Sequence, residues 1–124
     1  AIAAPVMSQP GYSKGFFTKK GKAGIGLPKE EVEEAAVRSK RDNIPVLGFR
    51  FTHDVICSGQ RFDAVEKIFG DNFIRYEIDS SLFNKHKIPI YAHAVHTIDY
   101  NDNPGHPTRL AYGRLLEFFG ERLG

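Results

Sequence analysis

The chain lacks several features that assign proteins to a class. It holds a single cysteine, Cys57, which excludes an internal disulfide and favours a reducing compartment, so we expect a cytoplasmic protein. No stretch approaches the roughly 20 apolar residues that a membrane span requires. No charged segment followed by an apolar one indicates a signal peptide. We therefore predict no membrane partner.

An excess of charge of one sign is also missing. The chain carries 17 basic and 15 acidic residues, which gives a formal net charge of +2. The basic residues are scattered, apart from short clusters at 19–22 and 38–41. Nucleic-acid binding needs a basic face. We therefore predict no nucleic-acid partner.

A nucleophile motif is the third absence. Gly-x-Ser-x-Gly, which places a reactive serine on a tight strand-to-helix turn, occurs nowhere in the chain. Ser8 ends a predicted strand and is not on such a turn. Cys57 precedes a predicted helix, but we interpret it as a buried, inert thiol. The chain also opens on Ala1 without Met, as a processed chain or a fragment would.

Strands and helices are predicted to alternate. We predict strands at 2–8, 44–51 and 72–78, and helices at 28–40, at 60–69 and, from an N-cap at Thr108, to 122. This order favours an α/β fold with a partial parallel sheet and right-handed crossover helices. Three strands alone leave bare sheet edges. We therefore interpret residues 1–124 as a single partial domain of a larger sheet.

Local signals support these helices. The 28–40 helix carries acidic residues near its start and basic ones near its end, which suits the helix dipole, and its thin apolar face predicts a surface helix. Gly70 is a good residue to end the second helix. The last helix is predicted to bury Leu110 or Ala111, Leu115, Phe118 and Phe119. The loop at 13–27 is rich in glycine but lacks the order of a phosphate-binding loop.

Asp54 is the strongest candidate for chemistry. It follows a buried strand, where an α/β enzyme places a catalytic carboxylate that orients an imidazole. The alternative is a turn-capping Asp. His93 and His96 compete for the general base, because either lies between the last strand and the last helix. We favour His93, whose small neighbours let the loop approach closely. His53 is expected to be exposed or to support the site.

A metal site is a further alternative. His93, His96, Asp99 and His106 offer nitrogen and oxygen ligands close together in sequence. A His-x-x-His pair lacks the glutamate of the His-Glu-x-x-His zinc motif. We therefore predict neither a metal nor a cofactor, and we keep a small His-rich metal-binding protein as an alternative function. His106, in a Gly-His-Pro turn, is interpreted as structural.

Several segments together carry a resemblance to a known family. They are Ile44-Pro45-Val46-Leu47 through Asp54, Phe69-Gly70-Asp71-Asn72 with 74–77, Ala92-His93-Ala94, the terminal 114–119 and the opening 1–11. With them the chain resembles the C-terminal half of an α/β-hydrolase, closest to dienelactone-hydrolase-like enzymes. The resemblance implies hydrolysis of carboxylic esters or lactones, with Asp54 and His93 at the acid and base positions.

The chain departs from this family in two ways. The nucleophile, its turn and the oxyanion loop have no counterpart here, and residues 88–91 lengthen the histidine loop. The resemblance therefore implies the C-terminal part of a serine-type hydrolase, which acts on a small ester or lactone. Its partner would be the missing N-terminal half or a second copy of the chain. A non-catalytic half-domain that associates through its sheet edge remains an alternative.

Overall fold

The computed structural model describes residues 3–8 and 29–124. The predicted glycine-rich loop at 13–27 and the first residue of the predicted first strand lie outside the described residues. Within these two ranges, no helix is long and apolar enough to cross a membrane.

The described chain is a three-stranded sheet with helices. Its elements are β1 (Val6–Ser8), α1 (Lys29–Arg41), β2 (Val46–Phe51), α2 (Gly59–Phe69), a short 3-10 turn (Gly70–Asn72), β3 (Phe73–Ile78) and α3 (Pro107–Leu123). The strand order is β1-β2-β3, and both pairs are parallel. This confirms the predicted α/β class and the parallel sheet. The strands are shorter than predicted, by one or two residues in β2 and β3 and by more in β1.

The central strand β2 is buried along its whole length because helices cover both of its faces. Leu47, Phe49 and Phe51 point to one face, where they pack with α3 and with the segment after β3. Val46 points to the other face, where it packs with apolar residues of α1, α2 and β3. The alternation follows from the two-residue period of a strand. The core therefore consists of two apolar clusters separated by the sheet.

Gly48, in the middle of β2, allows two aromatic rings to approach the sheet closely. A Cβ atom at this position would lie 2.6 Å from a ring carbon of Phe73 and 3.1 Å from one of Phe62. These two rings pack edge to face, with centroids 5.3 Å apart. Both rings therefore fit against the strand because glycine has no side chain.

Two predicted features of α1 and α2 are confirmed. In α1 only Val32, Ala36 and Ser39 are buried, which confirms a surface helix. The Oγ of Ser58 accepts a hydrogen bond from the N–H of Arg61 at the start of α2. Gly70 ends α2 with φ +60°, a conformation that favours glycine, which confirms its predicted role.

The predicted N-cap of the last helix is wrong. The helix α3 begins at Pro107, and His106 is the cap: its Nδ1 accepts a hydrogen bond from the N–H of Thr108 at 3.2 Å. The reason is that Pro107 suits the first helical position and holds His106 in an extended conformation. The Oγ1 of Thr108 instead accepts the N–H of Asn101 at 2.9 Å, so Thr108 joins the preceding loop to the helix.

The structure shows which of Leu110 and Ala111 lies on the buried face of α3. Ala111 is fully buried, whereas Leu110 is exposed. Phe118 is fully buried, and Leu115 and Phe119 pack partly buried against the same cluster. The predicted apolar face therefore holds, with Ala111 as its first member.

Candidate active site

The site lies where two neighbouring strands end. The last residues of β2 and β3, Phe51 and Ile78, are paired in the sheet, so the chain leaves both strands at the same edge. We call residues 52–58 the acid loop and residues 79–106 the histidine loop. The N–H of His53 donates to the Oγ of Ser80, and the N–H of Ser80 donates to the Oγ1 of Thr52, both at 3.0 Å. These two bonds tie the loops together where they begin.

Asp54 is buried within the acid loop, and its two carboxylate oxygens have different roles. Oδ1 accepts the backbone N–H groups of Ile56 at 2.8 Å and of Cys57 at 3.0 Å. This oxygen makes the turn that was the structural alternative for Asp54. Oδ2 faces the histidine loop. The same carboxylate therefore shapes its own loop and remains available to a second residue.

His93 is that second residue. Its Nδ1 lies 2.5 Å from the Oδ2 of Asp54, although the two residues are 39 positions apart. Because an ionised carboxylate only accepts hydrogen bonds, the neutral imidazole that fits this contact carries its proton on Nδ1 and keeps the lone pair of Nε2. Nε2 has no hydrogen-bond partner among the described residues, and the side chain is 32% exposed. The pair is therefore arranged to accept a proton at Nε2 from a group that approaches from outside.

The position of His93 depends on its neighbours in the histidine loop. Ala92 and Val95 are fully buried in the cluster on the α3 side of the sheet. The Oδ2 of Asp99 accepts the N–H of His93 at 2.9 Å and the N–H of Ala94 at 2.8 Å. Sequence reasoning considered Asp99 only as a metal ligand. One signal could have indicated this role: Asp99 lies a few residues after the histidine, and Asp tends to bind nearby backbone N–H groups.

His96 does not reach Asp54. Its ring packs edge to face on Phe49, with centroids 4.6 Å apart. Both ring nitrogens are buried without a hydrogen-bond partner in the part of the chain that the structure describes. Burial lowers the pKa of His96, so the neutral ring is favoured. The structure thus brings His93 to the carboxylate and packs the competing histidine against Phe49.

Arg50 is a site-shaping residue that sequence reasoning missed. Its buried side chain extends from β2 beneath the acid loop. Its Nε donates to the carbonyl oxygen of Cys57 at 2.9 Å, and one terminal nitrogen donates to that of Thr52 at 3.1 Å. The other terminal nitrogen pairs with Glu77 of β3 at 2.5 Å. Arg50 therefore holds both ends of the loop that carries Asp54.

Cys57 is buried and unreactive. Burial, and next the negative charge of Asp54, raises the pKa of its thiol to about 12. The thiolate, which is the nucleophilic form, is therefore scarce at neutral pH. This agrees with the interpretation of Cys57 as an inert thiol. His53 is exposed, with its Nδ1 at 3.0 Å from the Oγ1 of Thr52, and makes no contact with the Asp54 carboxylate.

The four residues of the metal alternative have separate roles. No group of three or more His, Cys, Asp or Glu side chains is placed to hold a metal ion within residues 3–8 and 29–124. His106 caps α3, and its ring centroid lies 5.5 Å from that of His86. An oxygen of Asp99 is occupied by two backbone N–H groups, and His96 packs on Phe49.

Comparison with known proteins finds no match. No protein-family model, no curated protein and no solved structure matches this chain.

Proposed function

We propose that this chain supplies the acid and the base of a serine-type hydrolase of carboxylic esters or lactones. The observation that carries the proposal is the hydrogen bond from the Nδ1 of His93 to Asp54, which leaves Nε2 free at the edge of the sheet. In the proposed reaction, Nε2 takes the proton of a serine hydroxyl as it attacks the acyl carbon. The same nitrogen then returns the proton to the leaving alcohol oxygen, while Asp54 stabilises the imidazolium.

The nucleophile is proposed to lie outside these 124 residues. In α/β-hydrolases the nucleophile precedes the acid and the histidine along the chain. The order of elements here, with an acid after β2, a histidine after β3 and a closing helix α3, is compatible with the last third of that fold. On this proposal, the chain is the C-terminal part of a dienelactone-hydrolase-like domain.

The position of β1 in the sheet is compatible with a missing half. The strand order places β1 at one edge of the described sheet and β3 at the other. Beside it, β1 and α1 border an open cavity of about 390 Å³, whose lining includes Val6, Met7, Val32 and Phe69. An edge strand beside apolar surface suits the addition of another strand. We propose that the nucleophile-bearing half adds here and that the assembly works in the cytoplasm on a small ester or lactone.

The test is to isolate the chain with whatever it assembles with and to look for a reactive serine. Native mass spectrometry would give the composition of the assembly, and a fluorophosphonate probe would label an activated serine. We expect the label on a second polypeptide, or on another part of a longer chain, within a Gly-x-Ser-x-Gly motif. Hydrolysis of p-nitrophenyl acetate by the same material should fall about 10⁴-fold or more in His93→Ala.

A matched control and a contradicting result complete this experiment. His96→Phe lies three residues from His93 and should retain hydrolysis, because His96 packs on Phe49 and not on Asp54. Full hydrolysis in His93→Ala with loss in His96→Phe would contradict the assignment of the base.

The second candidate is a half-domain that associates through its sheet edge without catalysis. The edge position of β1 and the apolar cavity beside it favour association whether or not a nucleophile is present. This candidate predicts a stable assembly that the fluorophosphonate probe does not label. A labelled serine in the assembly would exclude it.

A further inference from the structure

The histidine loop holds His93 without the help of a helix or a strand. No regular element lies between β3 and α3, so no hydrogen-bond ladder orders the backbone around residue 93. Buried backbone N–H groups that lack a ladder need another acceptor. Asp99 supplies one oxygen to two consecutive N–H groups, those of His93 and Ala94.

The loop also closes on itself at this point. The N–H of Asp99 donates to the carbonyl oxygen of Ala94 at 3.1 Å, and that of Thr97 donates to the same oxygen at 3.4 Å. The segment from 93 to 99 is therefore a compact turn that brings the carboxylate of Asp99 back onto the residue that carries the imidazole. On either side of His93, Ala92 and Val95 are fully buried and fix the segment to the core.

We propose that Asp99 is the positioning residue of the base. It fixes the backbone of His93 so that Nδ1 points at Asp54 and Nε2 points outward. Asp99 acts through His93, because its carboxylate binds backbone N–H groups and not the imidazole itself. The effect on catalysis rests on the proposed hydrolase function, whereas the effect on the orientation and tautomer of His93 does not.

The first measurement uses the full chain without substrate. Long-range ¹H–¹⁵N correlation spectra of the histidine rings distinguish a ring protonated at Nδ1 from one protonated at Nε2. We expect the His93 ring of the wild-type chain to show the Nδ1–H tautomer. In Asp99→Ala we expect a loss of this signature, with the two ring-nitrogen shifts moving toward each other as the tautomers mix.

Two variants separate positioning from general damage. Asp99→Asn keeps an oxygen acceptor and should retain the His93 signature. Asp102→Ala removes a carboxylate from the same loop that is 79% exposed and binds Tyr100 and Arg109, and it should leave His93 unchanged. In every variant the ring signals of His106, the cap of α3, report whether the fold is intact.

The outcomes decide the proposal. An unchanged His93 signature in Asp99→Ala, or a failure of Asp99→Asn to retain it, would overturn it. Should Asp99→Ala not fold, amide exchange in the wild-type chain decides: we expect slow exchange of the His93 and Ala94 N–H groups, and rapid exchange of both would overturn the proposal.

Kinetics in the assembled hydrolase then connect the positioning to catalysis. Asp99→Ala should lower kcat about 10²-fold with little change in KM, because a misplaced base slows the chemical step more than it weakens substrate binding. Asp99→Asn should restore most of kcat. A wild-type assembly without any ester turnover would remove the proposed function, yet the tautomer measurement would still stand.

Discussion

The acid loop and the histidine loop leave the same edge of the sheet but are held in different ways. The acid loop, 52–58, is short and spans directly from β2 to α2. Asp54 makes its turn, and Arg50 reaches from the adjoining strand to hold the carbonyl oxygens of Thr52 and Cys57. Its geometry therefore depends on its own Asp54 and on a side chain that is anchored in the adjoining strand.

The histidine loop, 79–106, has no such neighbours along its length. Its buried apolar residues Ile88, Ala92 and Val95 fix it to the core, and two polar side chains organise its backbone. Asn84 exchanges hydrogen bonds with the backbone of Ser81, His86 and Ile88, and Asp99 does the same for the turn around His93. Side chains here supply the hydrogen bonds that a helix or a strand supplies elsewhere. We infer that the acid loop is held by a side chain anchored in the adjoining strand, and the base by side chains of its own loop.

Removing the contact between the loops should have the largest effect. Asp54→Asn leaves a side chain of the same shape that no longer favours the required tautomer of His93. In the proposed hydrolase, kcat should fall about 10⁴-fold. The variant also keeps an oxygen for the N–H groups of Ile56 and Cys57, so the urea midpoint should change little. Unchanged ester hydrolysis in Asp54→Asn would show that the two loops need not be joined for activity.

Arg50→Ala should damage the acid loop specifically. It leaves Glu77 without its buried partner and two carbonyl oxygens without a donor, so we expect a loss of about 3 kcal/mol in the free energy of unfolding. Urea denaturation measures this value. The matched control is Arg75→Ala, which also loses a bond to Glu77 but otherwise pairs with the exposed Asp63 and Glu66. We expect it to cost about 1 kcal/mol, and equal costs would contradict a special role for Arg50.

Asn84→Ala should loosen the histidine loop and leave the acid loop intact. The variant removes an acceptor for the N–H groups of His86 and Ile88 and a donor to Ser81 and Ile88, at a cost of about 2 kcal/mol. We expect faster amide exchange at Ile88 with no change at Ile56 of the acid loop. Asn101→Ala is the control, because that side chain makes one exposed hydrogen bond and should cost about 0.5 kcal/mol. An equal acceleration of amide exchange at Ile88 and at Ile56 would contradict the contrast between the two loops.

The smallest expected effect is a dependence on pH that comes from the histidine loop. Burial lowers the pKa of His96, and burial and then the charge of His86 lower that of His106. The unfolded chain therefore binds protons more readily than the folded chain. Stability is complete above the unfolded histidine pKa of about 6.5 and falls as the pH drops below it.

Urea midpoints at pH 7.5 and 5.5 measure this effect. We expect the midpoint to be lower at pH 5.5 and the difference to shrink in His96→Phe, with the same variant at pH 7.5 as its reference. A wild-type midpoint that rises toward pH 5.5 would contradict the sign.

The elements of the fold were largely readable from local patterns. The strand at 72–78 and the helix at 60–69 were predicted within one residue, Gly70 predicted the end of α2, and the position of Asp54 after a buried strand predicted its place at the sheet edge. The start of α3 was mistaken, because the effect of Pro107 on His106 outweighed the capping preference of Thr108. These signals act between neighbours in the chain, which is why one sequence suffices to read them.

The site was less readable. The preference for His93 over His96 rested on the small residues beside it, whereas in the structure it is the packing of Ala92, Val95 and Phe49 that separates the two rings. Arg50 had no pattern that marked its role, because it binds backbone groups that every residue carries, and Asp99 had only the general tendency of Asp to bind nearby backbone N–H groups. Whether Asp54 and His93 catalyse a reaction stays a prediction.

The sequence by itself determined the local features of this protein, and the tertiary structure decided its long-range contacts. Strand, helix and turn preferences, and the presence of an acid before a histidine, are properties of short segments, and the order of the amino acids is enough to establish them. The meeting of Asp54 with His93, the packing of His96 on Phe49 and the pairing of Arg50 with Glu77 depend on which surfaces pack together. Those contacts join residues far apart in the chain, so their geometry exists only once the sheet and its helices have assembled.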